Sequence, residues 1–317
     1  MYSIIVPVYK NEQSIARLVE VICDLQRKLD KNLEVVFVVD GSPDRSFEKL
    51  KELTLFLNFP VQLIGHARNF GSFAAIRTGL MAAKGDFFGV MAADLQEPPG
   101  LLLEFFECLS KDECDVAIGT RIRRSDPMLS RWMSLLFWKI YRRMVMPDMP
   151  AGGVDVFGCN LQFRNQLVGL QESRSSLVAL IFWLGFRRKF IAYERLERQE
   201  GKSAWTLKKK MDYLFDSIFS FTDYPIQLLL RIGALGSVFA IGLSGLVLAA
   251  KLAGAISVPG YAATLLVVLI FGTLNLLGLG LVGVYAWRAY ENSKQRPLAV
   301  VAVRLQNKKG KINESNS

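Results

Sequence analysis

Along the first part of the chain, apolar and polar positions alternate between two periods. Residues 2–8 (Tyr-Ser-Ile-Ile-Val-Pro-Val) and 34–39 (Glu-Val-Val-Phe-Val-Val) are short and almost continuously apolar, as parallel strands buried on both faces are. Between them, over residues 14–29, apolar side chains recur at helical spacing. Residues 61–65, 87–92 and 116–119 predict three more strands, separated by helical patterns at 46–57, 71–83 and 100–109. This alternation predicts an α/β domain with a doubly wound, mostly parallel sheet, whose site lies at the carboxyl ends of the strands.

Downstream the pattern changes. Residues 127–146 are helical in period, aromatic and basic together. Arg131, Lys139, Arg142 and Arg143 fall on about a third of the helix circumference, and Trp132, Phe137, Trp138 and Tyr141 cover much of the rest. Such a helix lies at the headgroup level of a membrane, or packs on the protein with a solvated basic edge. Residues 206–230 form a second juxtamembrane segment that begins Lys208-Lys209-Lys210.

Two apolar runs follow, 232–250 and about 262–286. Each holds roughly 19 or more residues without a charge, enough for a helix to cross a bilayer core of about 30 Å. Arg231, Lys251 and Arg288 flank them. The expected organisation is a sheet domain over 1–205, interfacial helices over 206–230, a transmembrane hairpin over 231–290 and a tail over 291–317. Weak alternation at 297–303 allows one small strand, and 307–317 read as disordered. Basic residues before the first run and after the second place the sheet domain and the tail on the cytoplasmic side. Met1-Tyr2-Ser3-Ile4 enters a strand directly, without the pattern of a cleavable signal.

The net charge of +10 over 317 residues raises nucleic acid as a partner. The cations cluster near the apolar runs, however, which favours anionic headgroups and phosphorylated ligands and excludes nucleic acid. Cys23, Cys108, Cys114 and Cys159 show no metal-type spacing and fit reduced thiols. His66 is the only histidine, which excludes a His-based triad or a zinc site.

Chemistry concentrates after the predicted strands. The run ending at Ala93 is followed by Asp94, Leu95, Gln96, Glu97, Pro98 and Pro99, presenting hard oxygen ligands at a strand end. Asp40-Gly41-Ser42-Pro43-Asp44 follows the second strand, where a carboxylate can accept from a ribose or a base edge. Arg68-Asn69-Phe70-Gly71 precedes a helix that Asn69 is placed to cap.

Read in order, these segments resemble the family-2 glycosyltransferases of the polyprenyl-phosphate branch, such as dolichol-phosphate mannosyltransferase and bacterial undecaprenyl-phosphate glucosyltransferases. Pro7-Val8-Tyr9-Lys10-Asn11-Glu12 is similar to the family's Pro-Val-Tyr-Asn-Glu-Glu opening, with Lys10 and Asn11 departing from it. Val39 stands where the family's second segment has its first Asp, and Ala92 where the metal motif Asp-Ala-Asp-Leu-Gln has its first acid. The resemblance covers nearly the whole chain. It implies a GT-A fold followed by interfacial helices and two transmembrane helices, and a tetramer as the homo-oligomer.

It also implies roles. Pro7, Tyr9, Glu12, Asp40 and Arg68 contact the nucleotide of a nucleoside diphosphate-sugar, with Asn11 an alternative to Glu12. Asp94 and Gln96 hold Mg²⁺ or Mn²⁺. Asp155 steers the donor sugar or the acceptor. Arg121 and Arg131 hold the phosphate of a polyprenyl phosphate acceptor, since Arg suits phosphate through paired donors. Arg198, Lys202 and Ser203, in Arg198-Gln199-Glu200-Gly201-Lys202-Ser203, belong to a loop closing over the diphosphate. The implied reaction is inverting sugar transfer at the cytoplasmic membrane face, with Asp94, Asp155 and Arg121 at its centre.

A soluble-acceptor glycosyltransferase is disfavoured by the two apolar runs, and two further readings stay open. A processive polysaccharide synthase carries Gln-x-x-Arg-Trp and more spans, whereas this chain has Gln171-Glu172-Ser173-Arg174-Ser175. A membrane-anchored nucleotide-sugar-binding scaffold is motivated by Val39 and Ala92.

Overall fold

Tyr2–Val8 (β1) and Leu33–Val39 (β2) pair in parallel, and both are almost wholly buried, as their unbroken apolar character requires. This computed structural model describes residues 1–30, 32–122, 156–170, 176–196, 207–254, 260–308 and 311–314. It also describes 139, 141–143, 145–150, 154 and 172. Val61–His66 (β3), Phe87–Val90 (β4), Val116–Arg121 (β5), Phe157–Asn160 (β6), Arg188–Tyr193 (β7), Val301–Lys308 (β8) and Lys311–Glu314 (β9) complete the described sheet. The order is β7-β5-β6-β4-β1-β2-β3-β8-β9. β6 is antiparallel to both β4 and β5, and β8 is antiparallel to β3. Strands β1 to β5 and β7 therefore end on one edge of the sheet.

Ile15–Lys28 (α1) turns Ile15, Leu18, Val19, Ile22 and Leu25 inward at three- and four-residue spacing. They share a core with Ile4, Val6, Val8, Val35 and Phe37. Ser46–Thr54 (α2) packs beside α1. Ser72–Ala82 (α3) covers β1 and β2 on the other face, where Gly79 makes close approach possible: a Cβ there would lie 2.4 Å from Ile5 Cγ2. Gly100–Ser110 (α4), Leu161–Gly169 (α5) and Leu177–Trp183 (α6) follow. Asn160 and Ser176 cap α5 and α6 by accepting from Phe163 N and Ala179 N.

The tail departs from expectation. Instead of one small strand at 297–303 followed by disorder, β8 runs from 301 to 308 and β9 from 311 to 314. The pairing partner, β3, supplies the order that weak alternation in the tail does not announce. Asn307, within the stretch expected to be disordered, is buried and donates to Thr54 O at 2.9 Å. Residues 1–211 and 296–317 accordingly form one compact unit.

Residues 212–295 form a second unit, described by itself. It contains most of Leu207–Phe221 (α7), with Tyr224–Leu252 (α8) and Tyr261–Ser293 (α9). Pro225 sits in the first turn of α8, where its missing N–H costs nothing. Tyr224–Leu243 and Ile270–Ser293 are each long and apolar enough to cross a membrane. Leu235, Val238, Ile241 and Leu276 expose more than two thirds of their surface, which an aqueous surface would disfavour. Arg288 on α9 bonds Asp216 Oδ1 at 2.6 Å and Ser220 Oγ at 3.0 Å, tying α9 to α7.

Most of the aromatic and basic segment at 127–146 lies outside the described residues. Tyr141, read above as part of an aromatic face, is fully buried. At this position the protein interior takes the aromatic ring, as in the packed alternative.

Candidate active site

Loops from β1, β2, β3, β4, β5 and β7 leave the sheet on the same edge, where open α/β sheets bind ligands. The first two loops are stitched together. Lys10, at φ 56°, donates its N–H to Ser42 Oγ at 2.8 Å, and Glu12 N donates to Asp44 Oδ2 at 3.1 Å. Burial alone would raise the pKa of Asp44. Hydrogen bonds from Ser42, Ser46 and the Glu12 amide outweigh it and hold the carboxyl below its ordinary value. Glu12 accepts from Arg45 N and pairs with Lys49 Nζ at 3.3 Å, and Asn11 Oδ1 accepts from Tyr9 N at 3.0 Å. Both side chains proposed for the nucleotide here shape the loops. Pro7 lies within β1, and Tyr9 beyond it is partly exposed with Lys10 Nζ 5.5 Å from its ring centre.

Asp40 is buried. Its carboxylate accepts from Phe70 N at 2.9 Å, Gly71 N at 2.7 Å and His66 Nδ1 at 2.8 Å. His66 Nε2 lies 2.9 Å from Thr78 Oγ1 on α3. The carboxylate thus occupies the start of α3, where unsatisfied amides and the helix dipole favour an anion. Three internal donors use the carboxylate expected to face a ribose or base. The N-cap position of α3 is Gly71, with no side-chain cap, rather than the expected Asn69. Gly41, at φ +57°, lets the β2 loop approach Arg68, whose carbonyl carbon would lie 2.2 Å from a Cβ at that position. Arg68 itself lies 4.5 Å over the Phe70 ring.

A cavity of ≈ 160 Å³ opens beside these loops, walled by Val39, Phe47, His66, Ala302 and Val303. Two of its walls come from β8, which no site motif in the tail announces.

After β4 the chain turns sharply. Leu95 takes a left-handed φ of 54° while its side chain stays buried, placing Asp94 and Gln96 on either side of the bend. Gln96 N lies 3.4 Å from Asp94 Oδ1. Gln96 is buried, and its carboxamide oxygen accepts from Arg195 Nη2 while its carbonyl accepts from Leu196 N at 2.8 Å. Gln96 thus anchors the segment after β7, and Asp94 and Glu97 are the carboxylates of this loop. Among the described residues no three His, Cys, Asp or Glu side chains form a metal-binding group. One carboxylate still fits Mg²⁺ or Mn²⁺ if the remaining ligands are substrate phosphates and water.

Arg121 ends β5, half-buried and paired in register with Tyr193 at the end of β7. Arg131, Asp155, Arg198, Lys202 and Ser203 lie outside the described residues. Arg195 is the functional candidate that the motifs did not single out. Its only sequence signal is a basic residue three positions before Arg198.

Comparison with known proteins agrees with this architecture. The family model described as "Glycosyl transferase family 2" matches residues 3–168. The chain is 32% identical over 301 residues to an uncharacterized glycosyltransferase, YkcC, of Bacillus subtilis, covering 95% of this chain and 93% of that protein. It is 29% identical over 308 residues to an undecaprenyl-phosphate 4-deoxy-4-formamido-L-arabinose transferase of Pectobacterium atrosepticum, covering 93% and 90%. In fold it is similar to the glucosyl-3-phosphoglycerate synthase of Mycobacterium tuberculosis solved with Mn²⁺, uridine diphosphate and phosphoglyceric acid. The TM-score is 0.50 at 14% identity, covering 69% of this chain and 76% of that one.

Proposed function

The chain belongs to glycosyl transferase family 2, and from that membership we propose that it transfers a sugar from a nucleoside diphosphate-sugar to a polyprenyl phosphate. The product is a polyprenyl-monophosphate sugar. One observation carries the reading: a sheet edge that collects Tyr9, Arg68, Asp94 and Arg121 belongs to a chain with two long helices of exposed apolar side chains. A soluble acceptor gives those helices no purpose, whereas a lipid acceptor must keep its tail in the bilayer. The relative named as an undecaprenyl-phosphate transferase, matched along nearly its full length, supports the same acceptor class.

The chemistry follows from the acceptor. A phosphate monoester is anionic near neutral pH, because its second pKa is about 6, so it attacks without a strong general base. In-line attack on the anomeric carbon breaks the bond to the diphosphate and inverts configuration. Asp94 holds a divalent cation, which when bound supplies positive charge to the leaving diphosphate. Arg121, with Arg131, binds the acceptor phosphate, while Asp40 fixes the Arg68 loop that borders the nucleotide. Arg198, Lys202 and Ser203 close over the donor, and Asp155 orients the sugar or acceptor. The sheet domain and both termini lie on the cytoplasmic face.

A weakly catalytic binding protein is the second reading, favoured by Ala92 and by the commitment of Gln96 to Arg195. Membranes containing the protein, incubated with undecaprenyl phosphate and a panel of radiolabelled nucleotide sugars with and without Mn²⁺, distinguish the two. Label entering the lipid fraction supports transfer. Nucleotide binding without labelled lipid supports the binding protein.

A further inference from the structure

The geometry points to Arg195 as a direct ligand of the donor diphosphate, exchanging its internal partner Gln96 for a phosphate oxygen when the donor binds. This inference rests on the glycosyltransferase reading and adds a residue to it. Three observations carry it.

Arg195 follows β7 on the edge where β4 delivers Asp94, and two bonds hold the segments together: Arg195 Nη2 to Gln96 Oε1, and Leu196 N to Gln96 O at 2.8 Å. The guanidinium is thus brought to the residue that lies one turn from Asp94. Second, its side-chain partner is a neutral carboxamide. Arg187 just before β7, and Arg188 and Lys189 at its start, each pair with a carboxylate. A guanidinium bonded to a neutral acceptor keeps its full charge, and exchange for a phosphate strengthens the bond.

Third, the loop after β4 has Ala at position 92, and its acids are Asp94 and the buried Glu97. Asp40 accepts from three donors, and Glu12 and Asp44 are bonded within the first two loops. At low cation concentration the site is less often loaded, and the leaving diphosphate then needs positive charge from the protein. A fixed guanidinium supplies it without depending on free cation. Loss of one acid at the β4 loop and presence of one base after β7 then act in the same direction.

The test uses the full chain in detergent and calorimetric titration with uridine diphosphate and guanosine diphosphate, at low and at saturating Mn²⁺. Arg195→Gln is expected to weaken binding about ten- to hundred-fold, the range for a lost charge-assisted bond to phosphate. Arg195→Lys is expected to recover part of it, because charge is kept but the fork is lost. The weakening is expected to be larger at low Mn²⁺ than at saturation. A purely structural role for Arg195 would not produce that cation dependence. Unchanged affinity of Arg195→Gln, with wild-type binding intact, overturns the assignment alone, as does a loss equal at both Mn²⁺ levels. Absence of binding by the wild type to either nucleotide overturns both the assignment and the function reading on which it rests. Matching thermal unfolding of the variants and the wild type excludes misfolding as the cause.

Discussion

His66 Nδ1 lies 2.8 Å from Asp40 Oδ1, and this pair holds the β2 edge of the site to the start of α3. The histidine side chain is fully buried, with Thr78 on its other nitrogen. It orients the carboxylate that receives Phe70 N and Gly71 N, so it acts on substrate only through the loop. Removing one partner of a buried hydrogen bond to a charged group costs about 1–3 kcal/mol. His66→Ala is therefore expected to lower the thermal midpoint of the sheet domain by several degrees and to raise the KM for the donor. A variant with unchanged melting and unchanged KM would refute this positioning role.

Restoring an acid at position 92 tests the cation argument. Ala92→Asp is expected to lower the Mn²⁺ concentration needed for half-maximal transfer, with little change at saturating cation. Titration of activity against Mn²⁺ measures it directly. An unchanged titration curve would mean that position 92 does not reach the cation.

Acid sensitivity is expected to arise partly at the opposite edge of the sheet. Hydrogen bonds from the Arg187 side chain hold the Asp115 carboxyl below its ordinary value, against burial, with help from Arg187 N and Asn160. Asp44 is lowered as well. A carboxylate lowered in the folded state stabilises that state above its unfolded pKa of about 3.9, and the contribution is lost as pH falls through the folded value. Melting temperature is thus expected to be insensitive to these two groups above about pH 5 and to drop in more acidic solution. Asp115→Asn should flatten the acid limb while lowering the plateau near neutrality, as thermal scans from acid to neutral pH would reveal.

Thiol chemistry gives an independent check on the core. Cys108, Cys114 and Cys159 are buried, and burial pushes the Cys114 thiol up to about 12 and the Cys159 thiol higher still. Burial also raises Cys23, which is only half-buried on α1. Brief treatment with N-ethylmaleimide at neutral pH is expected to label Cys23 slowly and the other three only after denaturation. Peptide mass spectrometry reads the sites. Rapid labelling of Cys159 would contradict the packing of β6 between β4 and β5.

The residues themselves explain which features were legible in advance. Buried strands such as Ile4–Ile5–Val6 and Val35–Val36–Phe37 announce themselves because both faces are apolar, and α1 because its stripe is regular. β7 does not, since a largely exposed edge strand, Arg-Lys-Phe-Ile-Ala-Tyr, reads as well as a basic loop. β8 is stabilised by a partner more than two hundred residues away, which no local window contains. Within the site, motif spacing located Asp40 and Gln96 on the functional edge. It could not say which way their oxygens face, because His66, Phe70, Gly71 and Arg195 come from distant segments.

The return of the chain to β3 sets an order of events during synthesis. The β3 edge has no antiparallel partner until residues 301–308 leave the ribosome, long after β1 to β4 have emerged. At about 5–20 residues per second the wait lasts tens of seconds, with an unpaired strand edge open to misassociation. Both apolar helices are made during that interval. The sheet domain therefore acquires its finished edge only after the hairpin has been synthesised, so a chain truncated before 301 would carry every β4 and β5 site residue yet be prone to aggregate.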